Sequence, residues 1–168
     1  MYEITPQGNR QKAKNIVSAL ILGGFAVMLV TSVADSMPFK WAFQLGGLAV
    51  ITAGIFVLTR YVSRTFSYKV EQTDTGADFT ITELQRKSFV TVCRIALSNI
   101  KEIKVFDSTQ KSAEKDFLAT VRKDGRKTFN YCVDINPDKF VWVVADECGQ
   151  SVAVKITYDE KLCEILGA

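Results

Sequence analysis

The sequence predicts a membrane-anchored α+β protein, in which a hairpin of two apolar helices precedes a β-rich domain that ends in a helix. Three observations predict this fold class. Two long segments near the N-terminus carry no charge, the chain after Arg60 changes to an alternation of apolar and polar residues, and the last apolar residues recur at helical spacing.

The apolar segments cover residues 16–34 and 41–59, and each runs for nineteen residues without Asp, Glu, Lys or Arg. A bilayer core about 30 Å thick is crossed by roughly 20 apolar residues in a helix. We therefore expect transmembrane helices over 16–34 and 41–60. Two buried helices of a soluble protein are an alternative, although such helices normally carry a polar face. A cleaved signal peptide is another alternative, since Ser32-Val33-Ala34 resembles a cleavage site. The apolar core of a signal peptide, however, spans only about 7–15 residues, which is shorter than this segment.

Charge predicts the topology. Arg10, Lys12 and Lys14 precede the first helix, further arginines follow the second, and the loop between the helices carries one Asp and one Lys. Because positive residues remain cytoplasmic, both termini should lie inside, with two spans in the plasma membrane. Aromatic and basic residues that flank a span favour the headgroup level. The expected membrane-interface residues are Trp41, Arg60, Tyr61 and Arg64.

The predicted domains are a cytoplasmic segment at 1–15, the helix hairpin at 16–62 and a cytoplasmic β-domain at 63–168. That domain contains sixteen basic and sixteen acidic residues, so the net charge of +3 comes from the N-terminal part. Nucleic-acid-binding domains carry a clustered excess of positive charge. We expect no nucleic-acid partner.

Alternating residues predict seven or eight antiparallel strands that form a barrel or sandwich. Asp124-Gly125 is typical of a tight hairpin turn, and the polar residues 107–115 are expected to form a loop. Leu162, Ile165 and Leu166 indicate a C-terminal helix over 158–166, followed by Gly167 as its cap. The predicted strands cover 65–71, 78–85, 89–95, 100–106, 117–122, 127–133, 140–145 and 151–157.

The sequence offers little catalytic chemistry. It has no histidine, its four cysteines lack metal-binding spacing, and it contains no glycine-rich phosphate-binding loop. The acidic pairs Asp146-Glu147 and Asp159-Glu160 lie near a turn or a helix start, where solvated charge is the ordinary explanation. We expect no enzymatic activity, no cofactor and no metal site.

Two further patterns suggest contacts. Arg122, Lys123, Arg126 and Lys127, here called the basic cluster, are expected at a hairpin tip, as an anionic-lipid site or as a solvated turn. Small residues at i and i+4, Ala19/Gly23 and Ala49/Ala53, are expected to let the two helices approach closely.

The strand Arg64–Val70 directly after a helix hairpin, and the Leu-Ser-x-Ile-x-x-Ile element at 97–103, resemble the bacterial pleckstrin-homology-like domains known as membrane-flanked domains. The terminal helix completes the resemblance, whereas the extra hairpin at Asp124-Gly125 departs from a seven-strand count. The resemblance implies a scaffold or binding role without shared catalytic residues.

Three hypotheses follow. The chain is a membrane-tethered, non-catalytic interaction module that binds a protein partner or itself. Alternatively, it senses anionic lipids through the basic cluster, or it is an accessory subunit of a membrane transporter or enzyme complex.

Overall fold

The structure is a computed structural model that describes residues 1–34, 38–74, 76–85, 88–147 and 149–167. The chain forms two compact units: a helical unit, Asn9–Arg64, and an α+β unit made of residues 1–8 and the chain from Thr65 onward. The expected loop residues at 35–37, the turn residues at 75 and 86–87, and Cys148 lie outside the described residues.

The helical unit contains α1 (Arg10–Val33) and α2 (Lys40–Val57), and α2 continues into a π turn (Leu58–Val62). The side chain of Asn9 caps α1 by accepting the N–H of Lys12 at 3.0 Å. By length and composition, α1 and the continuous helix Lys40–Val62, which is α2 with its π turn, are each long and apolar enough to cross a membrane. This confirms the two predicted apolar helices.

The two helices approach each other at glycines other than those expected. A Cβ on Gly24 would lie 2.6 Å from Cγ1 of Ile51 and 2.8 Å from the carbonyl oxygen of Gly47, so only glycine fits this crossing. A Cβ on Gly23 would meet nothing within 4 Å. The expectation that the small pairs mediate the packing is wrong, because all four of their members lie on exposed faces: Ala19, Gly23, Ala49 and Ala53.

The first sheet of the α+β unit has the order β1-β2-β3-β4, and every pair is antiparallel. Its strand β1 comes from the N-terminal segment, to which the sequence analysis assigned no strand. A bulge places one extra residue, Val92, in the last strand of the sheet. The strands are β1 (Tyr2–Ile4), β2 (Thr65–Thr73), β3 (Gly76–Gln85) and β4 (Ser88–Ala96).

The second sheet has the order β5-β7-β8-β6, in which β6 runs parallel to β8 and the other pairs are antiparallel. A 3₁₀ turn (Leu97–Asn99) connects the two sheets. The strands are β5 (Ile100–Asp107), β6 (Lys127–Asn130), β7 (Lys139–Glu147) and β8 (Gln150–Thr157). Over the described residues the two sheets stay separate, so of the expected barrel or sandwich no closed barrel is formed. The expectation that all strands are antiparallel is wrong, because β6 pairs with β8 in parallel.

The main core fills the space between the sheets, where Tyr68, Phe79 and Ile81 of the first sheet meet Val143 and Ile156 of the second. The terminal helix α4 (Glu160–Leu166) also packs on this core, through Leu162, Cys163 and Leu166. This confirms the predicted C-terminal helix.

A second core lies on the other face of the second sheet, under α3 (Lys111–Lys123). The loop expected at 107–115 and the strand expected at 117–122 are therefore wrong. Phe117 and Val121 are four residues apart and both are buried, which is the spacing of one helix face. Asp124-Gly125 ends this helix instead of joining two strands.

Candidate functional site

The expected membrane-interface residues lie at the two ends of the second apolar helix. Trp41 is the second residue of α2 and is 65% exposed, whereas Arg60 and Tyr61 lie in the π turn. The guanidinium carbon of Arg60 lies 5.1 Å from the centroid of the Tyr61 ring. Twenty residues of helix rise about 30 Å, so Trp41 and Tyr61 are separated by roughly the thickness of a bilayer core.

The basic cluster lies in one segment but not at a hairpin tip. Arg122 and Lys123 end α3, Arg126 follows in the connection, and Lys127 begins β6. Three of the side chains are exposed, while that of Arg126 is half-buried and lies 3.7 Å from the carboxylate of Asp124. The structure therefore presents three cations to solvent, of which Arg122 and Lys123 lie at a helix C-terminus that favours positive charge.

Arg126 lines one end of a groove of about 590 Å³ between α3 and β5. The walls alternate in charge: the ammonium of Lys104 lies 2.9 Å from the carboxylate of Glu102 and 4.8 Å from the ring centroid of Phe117. Asp116 contributes a further carboxylate. A groove that holds both signs and an aromatic floor suits a polar peptide segment better than a purely anionic headgroup.

Beneath α3, one carboxylate joins the helix to the second sheet. Oε1 of Glu114 accepts from the indole N–H of Trp142 at 3.1 Å and from the ammonium of Lys155 at 2.6 Å. The same ammonium lies 3.5 Å from the centroid of the Phe140 ring. This half-buried polar network fixes the position of α3 and hence the width of the groove. The sequence analysis missed it, although the acidic residue one turn before Phe117 was a usable signal.

Cys93 and Cys163 are poor nucleophiles. Burial, and then the carboxylate of Glu147, raise the pKa of the Cys93 thiol to about 11. Burial likewise raises the pKa of Cys163. A nucleophilic cysteine needs the thiolate form near neutral pH. The described residues also contain no group of three or more His, Cys, Asp or Glu side chains that could hold a metal ion.

One end of the first sheet receives the chain from the helical unit. Thr65, the first residue of β2, pairs with Leu84, which pairs in turn with Phe89 of β4. Ile4 of β1 pairs with Tyr68, so β1 also runs toward this end before the chain enters α1. We call the row Thr65–Leu84–Phe89 the tether end of the sheet.

Comparisons of the chain with protein-family models, with curated proteins and with solved structures find no match.

Proposed function

We propose that this chain is a membrane-tethered, non-catalytic interaction module, in which a pleckstrin-homology-like α+β unit binds a protein partner or a second copy at the cytoplasmic face. The observation that carries the proposal is the presence, in one chain, of a compact α+β unit and two apolar helices whose outer side chains are exposed. Leu22, Phe25, Leu29, Leu45 and Phe56 are each more than half exposed. Apolar surface costs about 25 cal/mol per Å² in water, and a lipid bilayer removes that cost.

The distribution of charge supports the topology. Arg10, Lys12 and Lys14 in the first turns of α1, and Arg60 and Arg64 after α2, favour a cytoplasmic location for both ends of the hairpin. Trp41 would then lie at the opposite headgroup layer from Tyr61, in keeping with the helical rise between them.

The mixed groove supports the binding role. Phe106 and Phe117 provide an apolar contact for a partner segment, and the carboxylates and cations around them provide polar contacts that fix its position. The raised thiol pKa values at Cys93 and Cys163 argue against a cysteine nucleophile at these positions.

Alkaline carbonate treatment of cell membranes tests the tether. We expect the chain to stay in the membrane pellet and to enter solution only with detergent. Release by carbonate alone would contradict membrane insertion. As a matched control, the α3 variant Lys115→Ala keeps both helices unchanged and should fractionate as the parent chain does.

The groove is tested separately by Asp116→Lys, which reverses one exposed charge on its wall. We expect this variant to lose any partner that co-purifies in mild detergent while keeping its fold. The exposed Lys115 lies outside the groove, so Lys115→Ala should retain the partner. Equal retention by the two variants would place the binding surface elsewhere.

Lipid sensing through the basic cluster is the second candidate, favoured by the exposure of Arg122, Lys123 and Lys127. Each cation near an anionic surface gains about 1 kcal/mol. Neutralising these three residues to Gln should then abolish the preference for vesicles that contain phosphatidylglycerol. The matched control removes three other exposed cations: Lys101, Lys111 and Lys115. Equal loss in both variants would indicate net charge alone and reject a specific site.

A role as an accessory subunit is the third candidate. The exposed outer faces of α1 and α2 would then pack on the helices of a larger complex, as apolar helices do in lipid. Co-purification of a multi-pass membrane protein would support this candidate over a soluble partner. The Asp116→Lys variant should retain such a partner, because the contact would lie in the membrane.

A further inference from the structure

The end of the β3–β4 hairpin exposes two bulky apolar side chains. Phe89 is 77% exposed and Val90 is 53% exposed, although both lie in a regular strand. Successive side chains of a strand point to opposite faces of the sheet. Among the described residues, this end of β4 is therefore open to solvent on both faces of the sheet.

The register places these residues beside the point where the chain leaves the helical unit. Phe89 lies two strands from Thr65 in the same row, a separation of about 10 Å. Arg64, directly before Thr65, is the last residue of the helical unit. If α2 ends at a membrane surface, the tether end of the sheet must lie close to that surface.

The opposite end of the same sheet lies much farther away. Thr73 pairs with Gly76 at the β2–β3 connection, eight residues along β2 from Thr65. Eight residues of a strand span about 26 Å, which exceeds the depth of a headgroup layer. The exposed Gln72, next to Thr73, therefore provides a control position on the same sheet.

The sequence adds positive charge shortly before Phe89. Arg86 and Lys87 precede Phe89 by three and two residues in the sequence. An aromatic residue together with cations suits the boundary between anionic headgroups and acyl chains. A protein surface would have to supply both an apolar pocket and carboxylates to match the same residues.

We propose that the end of the β3–β4 hairpin is a second membrane contact, at which Phe89 and Val90 enter the headgroup layer of an anionic membrane. The inference rests on the proposed membrane tether. Together, the tether and this contact would attach the α+β unit to the bilayer through two different segments. Burial of one aromatic side chain shifts the ratio of docked to undocked chains by about tenfold or more.

Photocrosslinking of the full chain in vesicles tests this contact. A p-benzoylphenylalanine residue is introduced at position 89 in one protein and at position 72 in another. Both proteins are reconstituted into phosphatidylcholine vesicles with and without phosphatidylglycerol, and the adducts are identified by mass. We expect about tenfold more lipid adduct at position 89 than at position 72. That excess should fall in pure phosphatidylcholine and in an Arg86→Gln/Lys87→Gln variant.

The outcomes separate the contact from the tether. A chain that alkaline carbonate removes from the vesicles contradicts the tether. A chain that stays in the vesicles but gives equal lipid adducts at positions 89 and 72 contradicts the hairpin contact alone. Adducts at position 89 that join two copies of the chain overturn the proposal in favour of self-association. Phe89→Ser serves as a folding control, since loss of an exposed side chain should leave the unfolding midpoint unchanged.

Discussion

Replacement of Phe117 by Ala tests the position of α3, on which the groove depends. The Phe117 side chain is 8% exposed, and its ring centroid lies 5.6 Å from that of Phe106 and 6.2 Å from that of Trp142. Loss of a buried Phe costs about 3–5 kcal/mol. Because Phe117 borders the groove, where water can fill the space, we expect about 3 kcal/mol.

The assay is urea unfolding of the full chain in mild detergent. Trp41 is replaced by Phe, so that the fluorescence comes from Trp142 alone, since the sequence has two tryptophans. With a slope of about 2 kcal/mol per M, the midpoint should fall by about 1.5 M. A fall of less than a third of that value would show that Phe117 does not pack in the second core.

Ala119 distinguishes the helix from the strand that the sequence analysis expected. In α3 the residue is exposed, two positions from both Phe117 and Val121. In a strand, all three side chains would share one face. Ala119→Glu should therefore change stability by no more than about 0.5 kcal/mol. A loss as large as that of Phe117→Ala would refute the helix.

Three other predictions concern the helix crossing, the Glu114–Lys155 pair and the N-terminal strand. Gly24→Ala should destabilise the helix hairpin by about 1–3 kcal/mol in thermal unfolding, whereas Gly23→Ala should not; equal effects would contradict the close approach. Glu114→Ala should lower the free energy of unfolding by about 1–3 kcal/mol, because it leaves the Lys155 ammonium without its carboxylate partner. Adding Lys155→Met to the same chain should recover most of that loss. Additive losses in this double-mutant cycle would contradict the pair. The hydrogen bond that the Tyr2 phenol donates to the carboxylate of Asp159, together with burial, raises the pKa of Tyr2 to about 12 from 10.0. The stabilisation is therefore complete below pH 10 and disappears toward pH 12, so that Tyr2→Phe should lose stability below pH 10 and approach the parent chain above it; a difference independent of pH would contradict the assignment.

The sequence predicted best the elements whose signals are local. The two apolar helices need only length and the absence of charge. The terminal helix was predicted from Leu162, Ile165 and Leu166, although Ile165 is exposed in the structure. The side chain of Asp159 caps this helix by accepting the N–H of Leu162 at 2.9 Å. The same oxygen, Oδ1 of Asp159, also accepts from the phenol of Tyr2 at 2.6 Å. This contact joins residues 157 positions apart, so no local pattern contains it.

The helix α3 was missed because a turn signal was given too much weight. Asp124-Gly125 is compatible with a hairpin and equally with the end of a helix. Charges compatible with the helix dipole were present, with Glu114 in the first turn and Arg122 and Lys123 in the last. Together with the spacing of the buried residues, these charges favour a helix.

Pairings between distant segments could not be predicted. Strand β1 has three residues, too few for a periodic pattern, and it pairs with residues more than sixty positions away. The parallel pairing of β6 with β8 likewise depends on how α3 crosses the second sheet. The basic cluster can be read from the sequence as a run of basic residues, but its predicted place at a hairpin tip was wrong. That Arg126 is half-buried at the groove is seen only in the three-dimensional structure.

The mass of the intact particle in mild detergent, with the identity of every protein in it, tests the central claim most directly. The account predicts a detergent-solubilised particle in which the 18.7 kDa chain is joined by a stoichiometric partner or by further copies of itself. Asp116→Lys should release a partner that binds in the groove, and Lys115→Ala should not. A lone 18.7 kDa chain at every detergent concentration, or a chain that is soluble without detergent, would contradict a membrane-tethered interaction module.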